Sequence, residues 1–120
     1  MTRARAALAA GAFLLAAAVP AAAHSLLLES TPAAGASVAA PPPRVLLRFN
    51  NRIEKPLSRL RLLDERGGER PLVISASDDP ADRLSAAMPP LSPGTYRVEW
   101  QVLSTDGHIV VGSFTFRLVP

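Results

Sequence analysis

Two histidines and their neighbours are the residues of this chain whose types and spacing could bind a metal. The chain contains only His24 and His108 and has no cysteine, which removes thiolate zinc sites, iron–sulfur clusters and cysteine nucleophiles. If the chain were cut in front of His24, that residue would carry a free α-amine beside its imidazole, and both nitrogens could bind one metal in a chelate ring. An α-amine titrates at about pH 7.7–8.0, so a metal can displace its proton at neutral pH.

The second candidate group is the segment Ser104-Thr105-Asp106-Gly107-His108. Asp106 and His108 are two residues apart, so in an extended segment their side chains project to the same face, and Gly107 lets another backbone approach closely. Taken alone, this pattern is more typical of a turn aspartate and a solvated histidine. Together with His24 it offers an amine, two imidazoles and a carboxylate, a set that suits tetragonal Cu(II) and would hold zinc less tightly.

The first 23 residues have the layout of a secretory signal peptide. Arg3 and Arg5 precede an apolar stretch over residues 6–19, and small residues lead up to Ala23. The apolar stretch has about 14 residues, whereas a membrane-spanning helix needs roughly 20. We therefore predict cleavage after Ala23, export from the cytoplasm, and a mature domain of residues 24–120, a length that suits one domain with a single core.

The mature domain is predicted to be nearly neutral. The whole chain has 13 basic and 10 acidic side chains, and loss of Arg3 and Arg5 with the signal peptide leaves 11 basic against 10 acidic groups. No basic run with interleaved aromatic residues is present, so nucleic acid is not an expected partner. A monomer is expected.

Short β-strands are the elements predicted to position the candidate ligands. Residues 95–103 and 113–118 alternate apolar and polar side chains, the period of a half-buried strand, and the Asp-Glu-Arg-Gly-Gly sequence at 64–68 is a turn signal. Short strands with frequent turns indicate an all-β sandwich or Greek-key barrel. Seven strands are predicted, near residues 25–30, 44–50, 57–64, 71–75, 82–87, 95–103 and 110–119.

Several segments, in this order, resemble the CopC family of periplasmic copper-binding proteins along nearly the whole mature length. The resemblance implies a seven-stranded Greek-key β-barrel, which is immunoglobulin-like, and a Cu(II) site built from His24, Asp106 and His108. The matching segments are the His24 start, Ser30-Thr31-Pro32-Ala33-Ala34-Gly35-Ala36, Val45-Leu46-Leu47-Arg48-Phe49, Leu91-Ser92-Pro93-Gly94-Thr95-Tyr96, Trp100, and Ser104-Thr105-Asp106-Gly107-His108 with Gly112-Ser113-Phe114 after it.

Two features set this chain apart from some members of the family that it resembles. Many members follow the phenylalanine of the early strand with Ser-Glu, where this chain has Phe49-Asn50-Asn51. Asn51 has no carboxylate, so we expect at most a weak axial or hydrogen-bonding role for it. The mature chain has a single methionine, Met88, and lacks the methionine-rich loop of Cu(I)-binding members, so the resemblance is to the Cu(II)-only type.

The leading hypothesis is a non-enzymatic protein that buffers or carries Cu(II) outside the cytoplasm, in copper homeostasis, resistance or transport. The resemblance also suggests a membrane copper-transport protein as a partner. One alternative is a copper-dependent oxidative enzyme with a histidine brace, although the chain is short and has no surplus aromatic residues for a substrate face. The other alternative is a metal-free immunoglobulin-like interaction domain.

Overall fold

In a computed structural model, which describes residues 25–75 and 80–120, the chain folds into two β-sheets. A short 3-10 helix at Lys55–Leu57 is the one helical element of these residues, and no helix among them is long and apolar enough to cross a membrane. The eight strands of the described ranges are β1 (Leu27–Thr31), β2 (Ser37–Val38), β3 (Arg44–Phe49), β4 (Arg59–Leu63), β5 (Glu69–Pro71), β6 (Arg83–Ala87), β7 (Gly94–Leu103) and β8 (Ile109–Leu118).

The two sheets differ in size and share no strand. The smaller sheet has the order β1-β3-β6 and is antiparallel, and the larger has the order β2-β8-β7-β4-β5, with β2 parallel to β8 and the other pairs antiparallel. Strands β7 and β8 form the longest pair, from Gly94 opposite Leu118 to Leu103 opposite Ile109. This pairing places residues 104–108 in the loop at one end of the larger sheet.

The core lies between the two sheets and follows the alternation of the sequence. Along most of β7 and β8 every second side chain is buried, which removes apolar surface from water, and the side chains between them are more exposed, including Ile109 and Val111. Both sheets contribute to one cluster of buried side chains, so they pack face to face. Its strand members are Val45, Leu47, Phe49, Leu84 and Ala86 from the smaller sheet and Leu60, Leu62, Tyr96, Val98, Val102, Phe114, Phe116 and Leu118 from the larger one.

Trp100 packs over a glycine of the neighbouring strand. It lies opposite Gly112 in the β7–β8 register, and its ring meets Phe49 edge-on at a centroid distance of 6.3 Å and Phe114 at 6.0 Å. A Cβ atom at Gly112 would stand 2.3 Å from Cζ2 of Trp100, so the indole can take this position only because residue 112 has no side chain.

We therefore expect Gly112→Ala to displace the indole and to lower the free energy of unfolding by about 1–3 kcal/mol, the usual cost of overpacking. Urea denaturation monitored by tryptophan fluorescence measures both the displacement of the indole and the free energy of unfolding, because Trp100 is the only tryptophan. Ser113→Ala, at the exposed neighbouring position, is the matched control and should change neither property. An unchanged emission maximum with unchanged stability in Gly112→Ala would contradict this packing.

The predicted turn at residues 64–68 joins β4 to β5. Oδ1 of Asp64 accepts hydrogen bonds from the amides of Gly68 at 2.7 Å and Arg66 at 2.9 Å, and Gly67 has φ = +77°, a conformation that favours glycine. The bond from Gly68 is the main cause that lowers the pKa of Asp64 below 3.8. Because the pKa of Asp64 is lower in the folded state, the ionised carboxylate stabilises the fold. This contribution is present above the unfolded-state pKa and is lost as pH falls through the folded-state pKa.

The all-β prediction is confirmed, and the structure differs from it in two strands. In the described residues eight strands replace the predicted seven, because Ser37 and Val38 pair with the end of β8. The strand predicted at 71–75 is instead β5, which ends at Pro71, while Ile74 makes an isolated bridge to Ala86 of the smaller sheet. Proline has no amide hydrogen for a ladder, so the chain leaves one sheet there and turns toward the other.

Candidate metal centre

The loop between β7 and β8 is a closed turn held by its own backbone. The amide of Ser104 donates to the carbonyl of His108 at 2.8 Å, and the amide of Gly107 donates to the carbonyl of Ser104 at 2.9 Å. Gly107 has φ = +87°, in the region that glycine adopts most readily. Asp106 and His108 therefore sit on a turn, and the extended segment assumed from the sequence is not what places them side by side.

Asp106 and His108 contact each other through both side chain and backbone. Nδ1 of His108 lies 2.7 Å from Oδ2 of Asp106, and the amide of His108 donates to Oδ1 of the same carboxylate at 3.1 Å. The His108 side chain is 65% exposed and that of Asp106 24% exposed. A nitrogen donor and an oxygen donor thus meet at the protein surface, where an ion from solvent can reach them.

The first described residue of the chain is fixed to this loop. Ser25 is 1% exposed, its amide donates to Oγ of Ser104 at 3.1 Å, and the two hydroxyl oxygens are 2.7 Å apart. The next residue is also held: the Leu26 amide donates to Oδ1 of Asn50 at 2.7 Å, and the Asn50 amide donates to the Leu26 carbonyl at 3.0 Å. The backbone nitrogen of Ser25, which joins it to residue 24, is therefore hydrogen-bonded to Ser104, a residue two positions before Asp106 in the sequence.

Of the three ligands predicted from the sequence, the structure brings two together. Asp106 and His108 are in contact, while His24 lies outside the described residues. In residues 25–75 and 80–120 no three side chains of His, Asp or Glu are grouped closely enough to hold a metal ion, so a complete site needs at least one further donor. Asn51, which was expected to have a minor role, is half-buried just after β3.

Sequence reasoning missed the two serines that join the start of the domain to the loop. Ser25 and Ser104 are 79 residues apart, and serine is common in turns and termini, so neither its type nor its spacing marks the pair. The one available signal was that Ser104 stands beside the Asp-Gly-His segment. Both serines are buried only because the strands pack together, which the local sequence does not indicate.

Two packed sheets with an exposed Asp–His pair on an end loop define a small β-sandwich protein with a candidate metal centre. The model of the CopC domain family matches residues 27–119. The chain therefore belongs to the CopC family. This confirms the resemblance found in the sequence. Two of the similar proteins described below are copper resistance proteins, and membership of this family agrees with the prediction that the protein is not an enzyme.

Solved structures agree with this assignment over most of the chain. The crystal structure of CopC from Methylosinus trichosporium OB3b is 37% identical, has a TM-score of 0.76, and is matched over 81% of this chain and 95% of that one. PcoC, a methionine-rich copper resistance protein from Escherichia coli, is 29% identical with a TM-score of 0.66, over 79% of this chain and 98% of that one. At these identities the likeness covers the fold and the family.

Curated relatives match over shorter segments. Copper resistance protein C of Pseudomonas syringae pv. tomato is 38% identical over 45 residues, which are 38% of this chain and 36% of that protein. Protein YobA of Escherichia coli (strain K12) is 33% identical over 80 residues, 64% of each chain. The matched segment thus spans about a third to two thirds of these relatives.

Proposed function

We propose that this chain is an exported Cu(II)-binding protein that acts in copper resistance, homeostasis or transport. One Cu(II) ion would be held by the α-amine and imidazole of His24, the carboxylate of Asp106 and the imidazole of His108. The observation that carries the proposal is the attachment of Ser25 to Ser104, next to the Asp–His contact. Residue 24 is joined directly to Ser25, and consecutive Cα atoms are about 3.8 Å apart. The chain therefore continues to His24 from a residue that is hydrogen-bonded to the loop of Asp106 and His108.

The distance between Asp106 and His108 supports their use as neighbouring ligands. Two donor atoms bound to one ion at right angles, with bonds of about 2.0 Å, lie roughly 2.8 Å apart. The Nδ1–Oδ2 distance of 2.7 Å is close to this separation. The two atoms now face each other, so both side chains would have to rotate before their lone pairs could point at one ion. When no metal is bound, the same two atoms stabilise each other through a hydrogen bond.

The donor set favours Cu(II) over Cu(I). Amine and imidazole nitrogens with one carboxylate oxygen suit tetragonal Cu(II), whereas Cu(I) prefers thiolate and thioether sulfur. The chain has two methionines and no cysteine. Met1 falls in the predicted signal peptide, and Met88 is half-buried against the hydrophobic core. This composition contrasts with PcoC, which is described as methionine-rich.

Export is part of the proposed chemistry. The free α-amine of His24 is created only if the peptide bond after Ala23 is cut, which is the expected outcome of signal-peptide removal in the periplasm. We propose that residues 1–23 are removed and that residues 24–120 form the working domain, as a monomer. A membrane copper-transport protein is the proposed partner for the bound ion.

The test is a Cu(II) titration of the chain that begins at His24, in competition with a chelator of known affinity. We expect one Cu(II) per chain and an electron paramagnetic resonance spectrum of a tetragonal site with nitrogen ligands. Zinc should bind the same site more weakly. Absence of stoichiometric copper binding, or tighter binding of zinc than of Cu(II), would refute the proposed function.

A further inference from the structure

We infer that Ser25 and Ser104 form a clamp that positions the N-terminal copper ligand, and we call this pair the serine clamp. The inference rests on the proposed function and adds to it two residues that do not touch the metal. Chain termini are usually poorly ordered unless something ties them down. A ligand at such a terminus must lose its freedom of movement when the metal binds, unless the folded protein has already restricted it.

The two serines of the clamp are buried and hydrogen-bonded to each other. Both serines are only 1% exposed, and a buried hydroxyl is costly unless it has a hydrogen-bond partner. Here each hydroxyl partners the other at 2.7 Å, and Oγ of Ser104 also accepts the Ser25 amide at 3.1 Å. Water is excluded from the pair, so it does not compete for these bonds.

Ser104 also holds the other side of the candidate metal centre. Its amide donates to the carbonyl of His108, and its carbonyl accepts the amide of Gly107. It makes an isolated bridge to Ile53, a buried core residue. One residue therefore connects Ser25, the turn that carries His108 and the core, so Ser25, from which the chain continues to residue 24, is held at this turn before any metal binds.

The clamp acts together with a second anchor. Asn50 holds Leu26 through its side-chain oxygen and its amide, and this anchor stays in place if the serine clamp is removed. Loss of the clamp should therefore loosen the terminus near residue 24 without detaching β1. Groups that orient metal ligands typically contribute about 10- to 100-fold to metal affinity.

The experiment compares Ser104→Ala with the wild-type chain, both beginning at His24. We expect Cu(II) affinity to fall by about 10- to 100-fold, with faster transfer of copper to a chelator. Cu(II) must displace a proton from the amine of His24 to bind it. Weaker binding of Cu(II) therefore needs a higher pH, so the pH of half-maximal binding should rise. Ser25→Ala removes the hydroxyl pair but keeps the bond from the Ser25 amide to Ser104, and its loss of affinity should be smaller.

A matched control separates positioning from general stability. Ser58 is 9% exposed, and its hydroxyl donates to the carbonyl of Glu54 at 2.8 Å, so its substitution removes neither hydrogen bond of the serine clamp. Ser58→Ala should lower thermal stability while leaving copper affinity, dissociation rate and pH profile unchanged. If Ser104→Ala does not fold, the comparison of Ser25→Ala with Ser58→Ala decides the matter in the same way.

The outcomes distinguish this inference from the proposed function. If the wild-type chain binds copper and the serine variants bind it with the same affinity, rate and pH profile, the clamp has no positioning role. The inference is also wrong if Ser58→Ala loses as much affinity as the clamp variants. A wild-type chain that binds no copper overturns the proposed function, and the inference with it.

Discussion

A chain with the five residues Gly-Ser-Gly-Ser-Gly added before His24 is expected to bind Cu(II) at least about 100-fold more weakly than the chain that begins at His24, since loss of a direct ligand should exceed the cost of losing an orienting group. The extension turns the α-amine of His24 into an amide, which breaks the chelate ring with its imidazole. A longer extension is preferable to a single residue, because a histidine at the second or third position of a chain can form a new chelate with the terminal amine and intervening amides.

Competition with a chelator measures the change in affinity, and calorimetry in buffers of different ionisation enthalpy counts the protons released. A free α-amine is largely protonated at pH 7 and must lose its proton to bind a metal, so the extended chain should release about one proton fewer. The same five residues placed after the exposed Pro120 form the control and should leave binding unchanged. Equal affinity in the two extended chains would rule out the amine as a ligand.

His108→Ala is expected to weaken Cu(II) binding by more than about 100-fold, for the same reason. The substitution removes an imidazole nitrogen and leaves the Asp106 carboxylate without the partner that it contacts at 2.7 Å. Stability should change little, within about 0.5 kcal/mol, since the His108 side chain is 65% exposed and the loop is closed by backbone hydrogen bonds.

Chelator competition gives the affinity of this variant, and electron paramagnetic resonance reports the loss of one nitrogen ligand. Thr105→Ala serves as the control, because Thr105 is exposed in the same loop, and it should retain wild-type affinity and spectrum. A His108→Ala chain with the wild-type spectrum would show that the ion binds elsewhere, and the proposed site would then have to be abandoned.

Much of the fold could be predicted from the sequence because strand periodicity is a local property. The predicted alternation along 95–103 and 113–118 agrees with the burial of Tyr96, Val98 and Phe116. The turn at 64–68 was identified from residue types that form tight turns. The loop with Asp106 and His108 was placed correctly between two strands, since both flanking segments have the same period of two.

Other elements depend on contacts that no local pattern contains. The two-residue β2 exists only through its parallel pairing with β8, and a segment of that length has no period to read. Ile74 reaches the smaller sheet once Pro71 has ended β5. Asp106 and His108 are brought together by a turn with a left-handed glycine, although the sequence suggested strand alternation.

The residue types alone determined which chemistry this chain could offer: two imidazoles, one carboxylate beside one of them, and no sulfur donor from cysteine. Tertiary structure decided which backbone segments meet. The contact between Ser25 and Ser104 closes a separation of 79 residues. Packing of the two sheets buries both hydroxyls, each of which then needs a hydrogen-bond partner, and the two serines meet this need for each other.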